Sequence, residues 1–262
     1  MNNVVRKRII QEYYAKRSRD YDRQKSRTWK TSQGFSSEVI DLTLSALGAP
    51  KNKLVLEIGV GSGRNAPPLM KEVELQFVGL DLSKEMLTLA NTKMSAFKRC
   101  LSLILGDAEH LPFVDEAFDA IVCMSTMHYF TFQDNMLKRL SRLLKREGTF
   151  VYGDLTIHES DDQEFLETLE RILSKAHSRY YKPTEIRKLM KACGFHIIKI
   201  KTIAYKKSYQ SLIEDKGRYF RITPKRLHRF IRNAPTDART QYELTNTEMT
   251  LYYTIITAQK VN

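Results

Sequence analysis

The chain has 262 residues, 42% of them hydrophobic, and its 43 Lys and Arg against 30 Asp and Glu give a formal charge of +13; that content can bury one substantial core with elements layered around it. No run approaches the roughly 18 apolar residues of a membrane span, and MNNVVRKRII has basic residues without a following apolar signal region, so the expectation is a cytoplasmic protein without integral membrane insertion. Cys100, Cys123 and Cys193 are an odd set without a CxxC pair, which points away from a disulfide framework or a metal centre and predicts buried thiols.

In chain order, residues 12–30 are basic and aromatic. Residues 33–47 carry Phe35, Val39, Leu42 and Ala46 at helical spacing, and Gly48 with Pro50 ends the helix. Residues 53–58 read as the first strand. A glycine-rich turn follows, then a helix over 64–72 whose Pro67 and Pro68 fit only its first turn, where amide hydrogens lack intrahelical partners. Residues 75–80 are a second strand, and Ser83 caps a helix with Met86, Leu87, Ala90, Met94 and Phe97 on one face. Strands follow at 101–105 and 118–124. A helix over 132–145 with Leu137, Leu140 and Leu144 inward is stopped by Gly148, before a fifth strand at 149–152. Helices at 161–177 and 184–193 and strands at 195–204 and 249–258 complete the series. Alternating strands and helices predict a mostly parallel sheet covered on both faces, and two closing strands joined by a long excursion fit an antiparallel edge pair.

The charge is unevenly placed. Residues 1–30 hold 10 basic against 3 acidic side chains, residues 31–155 hold 13 against 15, and residues 156–262 hold 20 against 12. Residues 182–232 alone contain 15 basic and 3 acidic side chains, interleaved with Tyr205, Tyr209, Tyr219, Phe220 and Phe230. Such a mixture suits an anionic partner, nucleic acid included, and equally suits a solvated basic face whose aromatics pack inward.

The chemistry concentrates in LEIGVGSGRN, residues 56–65, an apolar strand that ends on Glu57 and enters a loop with Gly59, Gly61 and Gly63. Glycines at a strand-to-helix turn let backbone approach a ligand closely. Glu57 would face the two charges of a pyrophosphate at close range, whereas the ammonium and sulfonium of S-adenosylmethionine meet no such conflict. The loop is followed by VGLDLSKEML, GDAEHLPFVDEAFDAIVCM and LKREGTFV. On these motifs the chain resembles class I S-adenosylmethionine-dependent methyltransferases, in particular the small-molecule subgroup of ubiquinone and menaquinone C-methyltransferases (methyltransferase type 11). Glu147 stands where that family more often has glycine or proline. The resemblance spans roughly residues 35–155, with weaker agreement at YYKPTEIRKLMKACGF, and implies a Rossmann-like α/β fold: a seven-stranded, mostly parallel sheet with an antiparallel edge pair and helices on both faces.

Ligands of such sheets lie across the carboxyl ends of neighbouring strands, so Glu57, Asp81, Asp107 and the Met124–Ser125 segment share one rim. Gly59, Gly61 and Gly63 admit the methionine portion, Asp81 can take the ribose hydroxyls, and Asp107 the adenine amino hydrogens. Leu82, Ala108 and Leu111 can enclose the adenine in apolar contact. His128, just past the fourth strand in MSTMHYF, is the candidate base, with Tyr129 beside it; the alternative is a histidine that merely packs or hydrogen-bonds near the rim. Residues 12–30 resemble the amino-terminal cap of these enzymes, which sets a cap at 1–32, a methyltransferase domain at 33–262 and a substrate-side insertion at about 205–247. Within the cap, Tyr13, Tyr14, Tyr21 and Trp29 can shield a sulfonium by cation–π contact.

The expected acceptor is a small or medium-sized molecule, with Lys206, Lys207, Arg218, Arg221, Lys225, Arg226 and Arg229 available to an anionic or phosphate-bearing one; the expected assembly is a monomer or homodimer. Three alternatives remain open at this point. An RNA methyltransferase would use the basic excursion as an open trough, but Ser125-Thr126-Met127-His128 is unlike the Asn-Pro-Pro-Tyr motif of amino-directed nucleic-acid methylases. A nicotinamide or flavin enzyme fits the GxGxxA pattern from Gly61 with an acid 20 residues on, yet leaves Asp107 unexplained. A non-catalytic binding module on the same fold is the third.

Overall fold

The structure, a computed structural model, describes residues 2–21, 33–48, 53–72 and 75–261; Trp29, Pro50 and the side chains of Phe35, Val39 and Arg218 lie outside what is described. Helix α1 (Asn3–Ser18) begins at Asn2, whose side chain accepts from the Val4 amide. Then follow α2 (Gln33–Leu47), β1 (Lys53–Ile58), α3 (Ala66–Glu72), β2 (Leu75–Asp81), α4 (Lys84–Lys93), β3 (Leu101–Leu105), β4 (Phe118–Met124), α5 (Gln133–Leu143) and β5 (Leu144–Thr156). The remainder is α6 (Phe165–Leu173), α7 (Pro183–Ala192), β6 (Phe195–Ser208), α8 (Tyr209–Leu212), a π turn (Ile213–Gly217), α9 (Arg218–Phe220), α10 (Pro224–Arg232), α11 (Thr236–Gln241) and β7 (Glu248–Lys260).

One seven-stranded sheet runs in the order β3-β2-β1-β4-β5-β7-β6. The pairs from β3 to β5 are parallel, and β7 is antiparallel to β5 on one side and β6 on the other. The period of two divides the strand side chains between two cores. Leu56, Ile58, Ile121, Cys123, Phe150 and Tyr152 pack with α5 and α7, whereas Val55, Val122, Val151 and Ile255 pack with Leu47, Leu69 and Ala90 from α2, α3 and α4. A third core joins Phe165, Leu169, Leu212, Leu227, Ile231 and Tyr242 to Met249 and Leu251 of β7. The excursion between β6 and β7 is thus a packed helical layer. Cys123 and Cys193 are buried, but Cys100 is half-buried, against expectation.

Among the boundaries that differ from the sequence reading, two have a local cause. The helix expected to reach residue 145 ends at Leu143, and Leu144 already pairs with Phe118. Leu144 is buried in either conformation, so its apolar character does not distinguish them. The turn falls to Glu147, at φ 60°, and a Cβ on Gly148 would lie 2.9 Å from the Lys145 carbonyl oxygen. The helix expected over 161–177 is shorter because Asp161 stands outside it as a cap: its carboxylate accepts from the amides of Phe165 and Leu166 and from the Tyr242 hydroxyl.

Candidate active site

The carboxyl ends of β1 to β4 open onto one cavity of about 1120 Å³, counted out to its mouth. Gly59, at φ 71°, turns the chain out of β1, and its missing side chain is required because a Cβ would sit 2.2 Å from the Thr126 hydroxyl oxygen. Gly61, at φ 56°, lines the cavity and donates its amide to Asp81 Oδ2 at 2.8 Å. Asp81 Oδ1 accepts from the Ser83 amide at 2.9 Å, while Ser83 Oγ caps α4. Burial raises the Asp81 pKa and these backbone amides oppose the rise. One carboxylate therefore fastens the glycine loop to β2 and keeps its remaining lone pairs at the cavity. Gly63 is not on the cavity wall; a Cβ there would lie 2.7 Å from Met94 Cε, so its bareness serves the packing of the loop on α4.

Glu57 also stands one layer beneath the wall. It is 1% exposed, its Oε1 accepts from the wall residue Asn65 at 3.4 Å, and its buried Oε2 has no hydrogen-bond partner among the described residues. Burial pushes its carboxyl up to about 8, against the opposing effects of Asn65 and the neighbouring Arg64 guanidinium. An orphaned carboxylate oxygen under a glycine loop fits a ligand that brings an ammonium group and fits a diphosphate badly.

At the β3 end, Asp107 and Glu109 line the cavity beneath α1. Lys7 bridges them, with Nζ 2.5 Å from Asp107 Oδ2 and 2.5 Å from Glu109 Oε2. Burial opposes ionisation of Glu109, but hydrogen bonds from Lys7, Asn3 and the Thr131 amide outweigh it and hold its pKa below the ordinary value. Helix α1 is fastened at further points: Gln11 donates to the Leu82 carbonyl, Arg6 to Thr131 and Ser178, and Tyr14 shares a 3.0 Å hydrogen bond with the Tyr129 hydroxyl. Leu82, Ala108, Met124, Ser125, Tyr129 and Tyr21 all line the cavity as expected, and Phe130, Ile10 and Val60 add apolar wall. Leu111 is instead a core residue.

His128 lies behind this wall, beside Tyr129 and Tyr180 with ring centroids 4.1 and 5.0 Å away. Its Nδ1 is 2.9 Å from both carboxylate oxygens of Asp154, and its amide donates to the same group. Asp154 is 1% exposed, near the carboxyl end of β5. A carboxylate in that position fixes the Nδ1–H tautomer and leaves Nε2 as the proton acceptor. Tyr14 and Tyr129 are pushed well up by burial, so both phenols remain protonated at neutral pH.

Among the site residues that the sequence reading passed over are Lys7, Arg64, Glu109, Asp154 and Tyr253. A signal existed for Asp154, an acid near the carboxyl end of a strand, where ligands of parallel sheets gather. Lys7 and Tyr253 carried none, since each is defined by a partner a hundred or more residues away.

The chain is similar to known proteins in sequence and in fold. The family described as a methyltransferase domain matches residues 56–152. The uncharacterized protein MJ1123 of Methanocaldococcus jannaschii is 31% identical over 157 residues, 58% of this chain and 68% of its own length. Demethylmenaquinone methyltransferase of Thermotoga maritima is 34% identical over 102 residues, 38% of this chain and 43% of its own. The uncharacterized methyltransferase YcgJ of Bacillus subtilis is 32% identical over 127 residues, 48% of this chain and 50% of its own. Its crystal structure superposes with a TM-score of 0.75 at 23% identity, over 86% of this chain and 99% of that chain, a likeness of fold. The chain thus spans two thirds of the first relative and half or less of the other two.

Proposed function

Because the chain belongs to the class I S-adenosylmethionine-dependent methyltransferases, we propose that it methylates a small acceptor enclosed between α1 and the ends of β4 and β5, with His128 as the base. The observation that supports this reading is the buried His128–Asp154 pair just beyond the row of acids that suits the cofactor. Asp107 and Asp81 would hold the adenine and ribose, with Leu82 and Ala108 against the ring. Gly59, Gly61 and the buried Glu57 would receive the amino-acid end, and Tyr21 with the Met124–Ser125 segment completes the enclosure.

When bound, S-adenosylmethionine supplies a methyl group on a cationic sulfur, whose in-line transfer disperses that charge. The protein therefore has to align rather than polarise. Positioning an acceptor in line can supply about 7–11 kcal/mol. In that transfer His128 Nε2 would take the acceptor's proton. Asp154, holding Nδ1–H, stabilises the imidazolium that results. Tyr129, which lines the cavity, orients the acceptor and does not ionise. Helix α1 keeps water out through Lys7 and Tyr14.

His128→Ala should lower turnover by about 10²- to 10⁴-fold with the S-adenosylmethionine Kd unchanged. An undiminished rate in that variant, with any acceptor found, would remove His128 from the mechanism.

One observation favours RNA as a second reading. Lys225, Arg226, Arg229 and Arg232 project from the outer face of α10, and none makes an ion pair among the described residues, while Leu227 and Ile231 on its other face are buried. Such a stripe suits phosphates.

A further inference from the structure

Helix α6 carries two glutamates on its buried side. Glu167 and Glu170 stand one turn apart among Phe165, Leu166, Leu169 and Leu173, and are 2% and 1% exposed. A carboxylate in such a layer is costly unless it is well partnered. Glu170 is paired with Lys216. Glu167 instead gathers three groups: His177 Nε2 lies 3.0 Å from both its oxygens, the Tyr180 amide donates to Oε2 at 3.0 Å, and the Arg171 guanidinium donates to Oε1 at 3.4 Å.

Two of these groups belong to residues 177–180, an irregular stretch between α6 and α7. The Nδ1 of His177 is buried without a hydrogen-bond partner among the described residues, so the orientation of that ring falls to Glu167.

The same stretch forms the seat of His128. The amides of Ser178 and Arg179 donate to the His128 carbonyl at 2.8 and 3.3 Å, and Gln133 Nε2 joins the carbonyls of Met127 and Arg179 at 2.9 and 3.1 Å. The Tyr180 ring lies 5.0 Å from the His128 ring and 4.5 Å from that of His177. Asp154 holds the His128 ring at one nitrogen, which leaves the ring able to tip about that bond. Tyr129 is adjacent in the chain and would move with it, whereas Tyr180 is anchored through its own amide.

We infer that Glu167 is a positioning residue for His128: by fixing His177 and the Tyr180 amide, it holds the wall that keeps Nε2 directed at the acceptor. This role rests on the reading of His128 as the base and adds the group that sets its direction. Glu167 lies off the cavity wall and acts only through these contacts.

Solvent exchange of the His128 Nδ1 proton, followed by NMR on histidine-labelled protein saturated with S-adenosylhomocysteine, reads the seat directly. The proton should be observable in wild type and should exchange at least about tenfold faster in Glu167→Gln, the least that a hydrogen bond to a charged group is worth. Tyr180→Leu removes the wall itself, should act in the same direction, and decides the matter if Glu167→Gln does not fold. Asp161→Asn is the matched control. It weakens the cap of α6 and with it stability, but leaves residues 177–180 tied, so exchange should stay within about twofold of wild type. With any acceptor found, Glu167→Gln should lower kcat about tenfold and Asp161→Asn should not. An unaltered exchange rate in Glu167→Gln would overturn the role, and so would equal acceleration in Asp161→Asn, the mark of a merely structural glutamate. A full rate in His128→Ala would overturn the base reading instead, and the exchange comparison would still decide whether Glu167 seats the ring.

Discussion

Glu57 shows how one buried group links ligand, pH and stability. Its carboxyl is pushed from the ordinary 4.5 to about 8 by burial, so between those values the unfolded chain is ionised there and the cofactor-free fold is not. Unfolding then releases a proton, and the stability associated with Glu57 falls as pH rises through that window, by roughly 3 kcal/mol at pH 7 at 1.36 kcal/mol per pKa unit. Glu57→Gln should flatten the pH dependence of the urea midpoint between pH 5 and 8; an unchanged slope would show that Glu57 ionises normally. The cofactor should reverse the sense. An ammonium favours the carboxylate, so affinity should increase with pH up to about 8, with proton release visible by calorimetry in buffers of different ionisation enthalpy. The glycine loop offers a second check. Gly61→Arg should abolish cofactor binding and Asp81→Ala should weaken it by about 10- to 100-fold, because one fills the backbone approach and the other removes both the proposed ribose acceptor and the loop's tie to β2. Wild-type affinity in both variants would displace the cofactor from this loop.

At the scale of elements, α1 closes the cavity through polar contacts, not a large apolar face: its residues Asn3, Arg6, Lys7, Gln11 and Tyr14 all hydrogen-bond across to the sheet's carboxyl rim. A lid held this way should open when one tie is removed. Lys7→Met should raise the dissociation rate of S-adenosylhomocysteine about tenfold in stopped-flow measurements, with little change in melting temperature, since Lys7 lies at the surface of α1 and its ion pairs are partly solvated. A rate equal to wild type would mean that α1 does not gate the cavity. The strands themselves were legible because alternation marks them: Val55 and Leu56 face opposite cores, and β1, β3 and β4 occupy the expected spans. The glycine loop, Asp81, Asp107 and Tyr129 were legible for a related reason, as they sit where each strand ends. The boundary between α5 and β5 was not, because Leu144 is apolar in either role and Glu147, not Gly148, takes the left-handed conformation. Lys7 and Tyr253 stayed hidden because their partners lie 100 and 128 residues away, beyond the reach of any local pattern.

For the molecule as a whole, the formal charge of +13 is less available than composition suggests. Lys206, Lys207, Lys216 and Lys182 are each paired with a carboxylate, and Arg239 donates to backbone carbonyls. Lys225, Arg226, Arg229 and Arg232 on α10 are exposed and make no ion pair among the described residues. If that stripe engages RNA, retention on a single-stranded RNA should fall steeply as salt rises from about 50 to 200 mM, and reversing Arg229 and Arg232 to Glu should flatten the dependence. A response that is flat in the wild-type protein would leave α10 as a solvated face and the acceptor reading with the cavity.

The sheet order has a consequence for synthesis on the ribosome. β6 emerges some forty residues before β7, yet it reaches the rest of the sheet only through β7, which inserts between it and β5. Until the final strand is made, β5 and the 14-residue β6 both present bare backbone to the surroundings, the condition in which nascent chains pair wrongly. Lys199 and Lys201 are exposed on β6, and charged side chains on an unpaired strand discourage foreign strands from pairing there.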